Sequence, residues 1–417
     1  MFQTLLSNNA FSAVRNRNFR FFLGYRFLMT MATLMQSVIV SWDMYYLTKN
    51  VIWLGLMGLV EVIPQVSISL FAGHYIDLWD RKKIISNSTF LLLGGSAILT
   101  LYSIESFHAF QRMGVWPIFI TIFLTGLSRG ILMPANTALL GQLVDKRMYA
   151  NAATWSSANW QLAAVSGPAI GGLVYGFTSI SVAYGSVFVL YLGAFWMIHS
   201  VKINHIVSPI VSGGEDILIR IREGIRFVVK SPELLGAFTL DMFAVFFGGA
   251  VAMLPVFASD ILHVGPEGLG FLRACPALGA VLMSFYMMFH PPMRNSGRIL
   301  LLSVAAFGAC MIGFAFSTAF WLSAALLLLS GLFDNVSVVI RGTILQLYTP
   351  DEMRGRVASV NSIFIGSSNE LGAFESGMAA KFMGLVPSVA FGGVMTLLVV
   401  AVTARVNPVL RHLSLKN

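Results

Sequence analysis

Apolar stretches of roughly twenty residues recur along nearly the whole chain, and this recurrence restricts the fold more than any single motif. A helix needs about 20 predominantly apolar residues to cross a bilayer. Stretches of that kind fall near 20–47, 52–76, 84–105, 115–140, 150–176, 182–200, 234–259, 267–289, 298–318, 320–346, 356–380 and 386–404. Hydrophobic residues make up 57% of the 417 and charged residues only 11%, with a mean hydropathy of +0.78, which excludes an ordinary soluble domain. A membrane barrel would show short alternating segments of about ten residues instead of continuous apolar runs. Hydrocarbon offers the backbone no partners, so continuous runs have to be helices. The expectation is an all-α integral membrane protein with twelve transmembrane helices.

Charge placement then orients the chain. With both termini in the cytoplasm, the cytoplasmic segments hold 20 of the 27 Lys and Arg residues, among them Arg15, Arg17, Arg20, Arg81, Lys82, Lys83, Arg354 and Arg356. The opposite side holds Lys49, Arg112 and Lys381, and Arg26, Arg129, Arg273 and Arg341 lie inside spans. This is the asymmetry of the positive-inside rule, and the net charge of +9 has the same origin. Basic residues scattered over separate loops do not form a nucleic-acid surface, so no nucleic-acid partner is expected. Residues ahead of the first span read as a cytoplasmic leader, not a cleaved signal peptide. Cys275 and Cys310 both fall inside spans without metal or redox spacing and read as packing residues.

The longest break between spans, 201–233, divides the chain into six spans and six: an N-terminal half over 1–200, a linker over 201–233 and a C-terminal half over 234–417. Within the linker Ile217, Leu218, Ile221, Ile225 and Val228 recur at helical spacing, while Arg220, Arg222, Arg226 and Lys230 supply a basic face. Such a helix suits an anionic leaflet or serves as a plain connector. The halves repeat one another at an offset of about 205 residues: Gly126-Leu127 answers Gly331-Leu332, Gln142-Leu143 answers Gln346-Leu347, and Gly167 with Gly172 answers Gly372 with Gly377. A repeat of this parallel kind places a substrate site near the midplane between halves.

Three motifs carry a family resemblance. After span two come Gly73, Asp77, Arg81 and Lys82; span five holds Ser166-Gly167-Pro168-Ala169-Ile170-Gly171-Gly172; and Pro350-Asp351-Glu352-Met353-Arg354-Gly355-Arg356 leads into span eleven. With these motifs the chain resembles the major facilitator superfamily, and within it the enterobactin-exporter and drug-efflux group. The resemblance implies the major facilitator fold of two pseudo-symmetric six-helix halves, with spans one, four, seven and ten lining a cavity. It also implies a cytoplasmic gate in which Asp77 latches onto Arg354 or Arg356; the alternative is that Arg81, Lys82 and Lys83 serve topology alone. For Gly167, Pro168, Gly171 and Gly172 it implies a seal against leak, and ordinary small-residue packing fits the same residues. Leu78 stands where many relatives have Arg, and Asp80 where the wider superfamily usually has Gly.

Intramembrane charge is costly, on the order of 2.5–3.5 kcal/mol per residue even on a lenient scale, and therefore marks function. Four bases, Arg26, Arg129, Arg273 and Arg341, stand against six acids, Asp43, Glu61, Asp241, Asp334, Glu370 and Glu375. A carboxylate in excess of its basic partners in a low dielectric can take up a proton near neutral pH. Glu61, Asp43 and Asp241 are accordingly the proton-coupling candidates, each equally compatible with a carboxyl hydrogen-bonded inside a bundle. Arg129, Asp334, Glu370 and Arg341 are the candidates for cavity charge pairs. Arg129 and Asp334 occupy equivalent repeat positions with opposite charge, and are expected either to pair across the cavity in one state or to keep separate partners. Trp42, Tyr45, Tyr46 and Trp53 fit an interfacial aromatic belt or a substrate cage.

These features lead to a secondary active exporter of a small organic molecule, driven by protons, in a bacterial inner membrane and monomeric. Siderophore-like catecholates or amphiphilic drugs are the substrates the resemblance implies. An importer on the same fold and a lipid translocator are the alternatives. No Gly-x-x-x-x-Gly-Lys-Ser/Thr loop is present for an ATP motor. The seven histidines stand without a nucleophile or metal spacing, so neither an enzyme nor a bound cofactor is expected.

Overall fold

The computed structural model describes residues 12–104, 113–202, 217–350 and 353–415. Side chains are described at these positions except 70–75, 77–78, 146, 150, 217–221, 354–355, 359 and 362–363. The helices in chain order are α1 (Arg17–Thr48), α2 (Val51–Leu78), α3 (Arg81–Ser103), α4 (Trp116–Leu143), α5 (Tyr149–Phe177), α6 (Ile180–Ser200), α7 (Ile217–Lys230), α8 (Pro232–Phe247), α9 (Ala250–Val256), α10 (Pro266–Phe289), α11 (Ser296–Ala315), α12 (Phe320–Tyr348), α13 (Arg354–Met383), α14 (Leu385–Val406) and α15 (Pro408–Arg411). No strand occurs among the described residues, and each expected span coincides with helix in its described part.

Among the described residues ten helical segments are long and apolar enough to cross a membrane. α5 and α13 match them in length but carry more polar side chains. Span seven, expected as one helix over 234–259, is interrupted. α8 ends at Phe247, Gly248 and Gly249 break the ladder, α9 follows, and a π-helical turn over Phe257–Ile261 closes the segment. Paired glycines cost helix stability and leave backbone groups open.

The chain forms two compact units, Met1–Val40 with Ile63–Gly213, and Ser41–Val62 with Gly214–Asn417. α1 and α2 thus contribute to both, their connected ends between Ser41 and Val62 belonging to the second.

In the first unit, small residues bring helices together. A side-chain carbon on Gly167 would lie 3.0 Å from the Met31 carbonyl oxygen, and one on Gly171 would lie 2.9 Å from Met35 Cγ. α5 therefore seats on α1 along one glycine face. Thr121 of α4 donates to the Gly95 carbonyl of α3 at 3.1 Å. Asp80 caps α3, accepting from the Lys82 and Lys83 amides at 2.9 and 3.4 Å, where the helix dipole favours an anion.

The second unit packs α10 on α12, α11 on α14 and α8 on α13. Its core includes Leu234, Leu240, Leu300, Ile340, Ile344 and Val357, all within 1% of full burial. The linker helix α7 joins that core through Val228, and Gly224 comes so close to α13 that an added carbon would stand 3.0 Å from the Arg356 carbonyl oxygen. Its Arg222, Arg226 and Lys230 remain exposed.

Candidate transport site

Two charge clusters lie inside the second unit. In the first, Arg341 of α12 forms an ion pair with Asp241 of α8, and each side chain keeps only 9% of its exposure. Arg341 Nε also donates to Ser337 Oγ at 3.2 Å, one turn earlier on α12. Asp334, two turns earlier, acts electrostatically on both Arg341 and Asp241. One guanidinium thus serves two carboxylates in a region where an uncompensated charge would be very costly. Asp241, expected as a proton carrier, and Arg341 and Asp334, expected as cavity charges, belong to a single group.

The second cluster centres on Arg273 of α10. Glu61 of α2 and Glu370 of α13 both act on its guanidinium, which also donates to the Val251 carbonyl of α9 at 3.5 Å. Glu61 reaches this group because α2 and α13 cross there almost backbone to backbone. A carbon on Gly58 would fall 2.6 Å from the Glu370 carbonyl oxygen, and one on Gly55 would fall 3.2 Å from the Gly377 Cα. Close approach of two spans through small residues is the membrane form of tight helix packing.

Further along the same segment, Tyr45 of α1 donates its hydroxyl to Asp260 of the π-helical turn. Lys49, in a left-handed conformation with φ 48°, sets its ammonium 5.3 Å and 5.2 Å from the Tyr45 and Tyr46 ring centres, within cation–π range. Tyr45 is therefore a hydrogen-bonding residue of the second unit in addition to any part in an aromatic belt. Asp43 in the same stretch is buried, with 3% exposure.

Arg129 belongs to the first unit and Asp334 to the second. Charge does not reveal four amide side chains of the first unit. Gln36, Gln65, Asn136 and Gln161 each hold a buried carbonyl oxygen with no hydrogen-bond partner among the described residues; the Gln36 amide group itself donates to Thr125 at 3.3 Å. Polar residues in otherwise apolar runs were the available signal. The first unit also contains a cavity of about 1260 Å³, lined by Ile63, Ile68, Phe123, Leu127 and Ile131 with Asp80 and Lys83 also on its wall.

The side chains of Asp77 and Arg354, and the surroundings of Gly73, lie outside what the structure describes. The basic residues beside them have local employment. Lys82 donates to the His199 and Val201 carbonyls at 2.8 and 2.7 Å, closing the C-terminal end of α6, where a cation complements the dipole. Arg356 pairs with Glu223 of α7, tying the linker helix to α13. Gly167 and Gly171 face α1, and Pro168 and Gly172 are buried in an unbroken α5. No group of three or more His, Cys, Asp or Glu side chains suited to a metal occurs among the described residues.

The family model described as transmembrane secretion effector matches residues 8–414. The chain is 20% identical over 400 residues to the staphyloferrin A transporter of Staphylococcus aureus, covering 95% of this chain and 97% of that protein. It is 25% identical over 346 residues to the enterobactin exporter EntS of Escherichia coli, covering 82% and 80%, and 23% identical over 398 residues to the MFS-type transporter YjbB of Bacillus subtilis, covering 93% and 91%. Among solved structures, a peptide transporter of the POT type superposes with a TM-score of 0.75 at 12% identity, covering 96% of each chain, a likeness of fold. A helical membrane architecture, intramembrane ion clusters and a family match across nearly the whole length converge: the chain belongs to the transmembrane secretion effector family of major facilitator superfamily transporters.

Proposed function

We propose that the protein exports a small organic molecule, siderophore-like or an amphiphilic drug, from a bacterial cytoplasm by proton-coupled alternating access. Both termini are placed in the cytoplasm and the chain works as a monomer in the inner membrane. The observation that carries this reading is Arg273 within electrostatic reach of Glu61 and Glu370 from two other spans. Two carboxylates sharing one guanidinium can release or take up a proton when the group is rearranged. Glu61 sits on the segment whose packing must change if α1 and α2 are to move as whole helices, so protonation and conformational change meet at one residue. Asp334 and Arg129 exchange partners between states in this scheme, Asp334 leaving Arg341 to meet Arg129. Buried amide oxygens at Gln36, Gln65, Asn136 and Gln161 suit a substrate rich in hydroxyl donors, and the likeness to EntS favours export over import.

Accumulation of a panel of siderophores and fluorescent drugs is measured in cells expressing the chain, with and without a protonophore, beside Glu61→Gln and Asp241→Asn. Export lowers accumulation in a way that both the protonophore and Glu61→Gln abolish. Unchanged accumulation across the panel sinks the proposal and turns attention to import. A lipid translocator is the second reading, favoured by the apolar cavity of the first unit, and it predicts transfer of labelled phospholipid that withstands Glu61→Gln.

A further inference from the structure

The second unit holds a cleft apart from both charge clusters, with a volume of about 450 Å³, within the range that takes a drug-sized molecule. Four aromatic rings form its wall, Phe246 of α8, Phe374 and Phe382 of α13, and Phe391 of α14, with Met378 among them. Phe247 extends the wall, meeting Phe246 and Phe391 edge to face at 5.0 and 6.3 Å. Phe382 keeps 76% of its exposure, so the mouth opens to the surroundings of the helix bundle. A single charged side chain, Glu375, lies among the lining residues, with the Ser376 hydroxyl beside its carboxylate.

The break in span seven adds to that charge. Gly248 donates its amide to Ala244 at 2.8 Å, but the Ala250 amide turns to Gly248 at 2.8 Å instead of back to Phe246. The C-terminal carbonyls of α8 therefore present the negative end of a helix dipole beside the cleft. Gly372 admits this end, since a carbon there would lie 2.7 Å from the Phe246 carbonyl oxygen. Interrupted spans inside a membrane characteristically lie at binding sites.

We propose that this cleft binds an amphiphilic organic cation, its charge against Glu375 and the open end of α8 and its apolar body between the phenylalanine rings. The carboxylate and the aromatic faces favour positive charge, and the end of α8 adds to this only in part, because α9 begins at the same break with Gly249 as its cap. The site goes beyond the transport reading and does not depend on it, because binding is read without transport.

The test uses the full chain in lipid nanodiscs and two probes of matched shape and opposite charge, tetraphenylphosphonium and tetraphenylborate. Radiolabelled tetraphenylphosphonium is expected to bind saturably, with tetraphenylborate failing to compete. Glu375→Gln weakens binding by about tenfold or more, the equivalent of one lost charge contact, while Glu375→Asp binds as the parent does. Phe382→Ala, at an exposed position that leaves the fold intact, weakens binding several-fold and decides the matter if Glu375→Gln does not yield folded protein. Absence of saturable binding, equal competition by tetraphenylborate, or parental affinity in the two weakened variants overturns the proposal. Loss in Glu61→Gln with none in Glu375→Gln assigns the cation to the Arg273 cluster and overturns it as well.

Discussion

Arg341 and Asp241 close an ion pair between α12 and α8 with 9% of each side chain exposed. Removing one partner of such a pair is far more damaging than removing both, because the survivor is left as a buried, uncompensated charge. Asp241→Asn should destabilise the protein by about 3–5 kcal/mol, read as a fall in unfolding temperature in detergent. Asp241→Asn combined with Arg341→Gln should recover most of that loss. If the double variant is as unstable as the two single losses added together, the two residues do not act as a pair.

Gly58 predicts a steric effect at the other cluster. Its missing side chain lets α2 approach α13, with only 2.6 Å available to the Glu370 carbonyl oxygen and 3.0 Å to Ala373 Cβ. Gly58→Ala should cost about 1–3 kcal/mol as an overpacked contact and shift Glu61 away from Arg273. Gly94, with open space around it, should accept alanine with little change. Equal thermal stability of the two variants would remove the crossing as a packing constraint.

Tyr45 and Asp260 supply a third test. Tyr45→Phe removes one hydroxyl and should lower stability by about 1 kcal/mol, with the aromatic contact to Lys49 retained. Tyr45 and Asp260 both replaced by cysteine should be joined by a short bifunctional thiol reagent, since the tyrosine side chain spans more than a disulfide can reach, at a yield that falls when transport is turning over. A yield indifferent to turnover would mean the two positions stay together throughout the cycle.

The helices were legible in the sequence because hydrophobic length alone decides what can cross a bilayer. The charged residues were legible as costs, but their partners were not. Nothing in the local pattern around Glu61 says that Ser41–Val62 packs with the second unit, and only that packing brings Glu61 to Arg273. α7 was ambiguous for a related reason: an apolar stripe with a basic face fits an anionic leaflet and a plain connector equally well, and nothing in the local pattern announces the approach of Gly224 to α13. The break in span seven left a readable signal at Gly248-Gly249, which a reading based on total apolarity passes over. The four buried amides escaped because they carry no charge.

The basic run after α2 gives the last prediction, since topology and structure assign its members different tasks. If Arg81, Lys82 and Lys83 act only as positive charge on one side of the membrane, replacing any one by methionine has the same small effect. The structure distinguishes them: Lys82 holds two carbonyls at the end of α6 at 2.8 and 2.7 Å, while Lys83 is exposed and lines the apolar cavity. Lys82→Met should then cost about 1 kcal/mol, a charged hydrogen bond discounted for its partial exposure, and Lys83→Met nearly nothing. Amide exchange at the last turn of α6 is the sharper measurement, because faster exchange there in Lys82→Met alone follows from capping and not from topology. Equal exchange in both variants would return the whole run to the positive-inside rule.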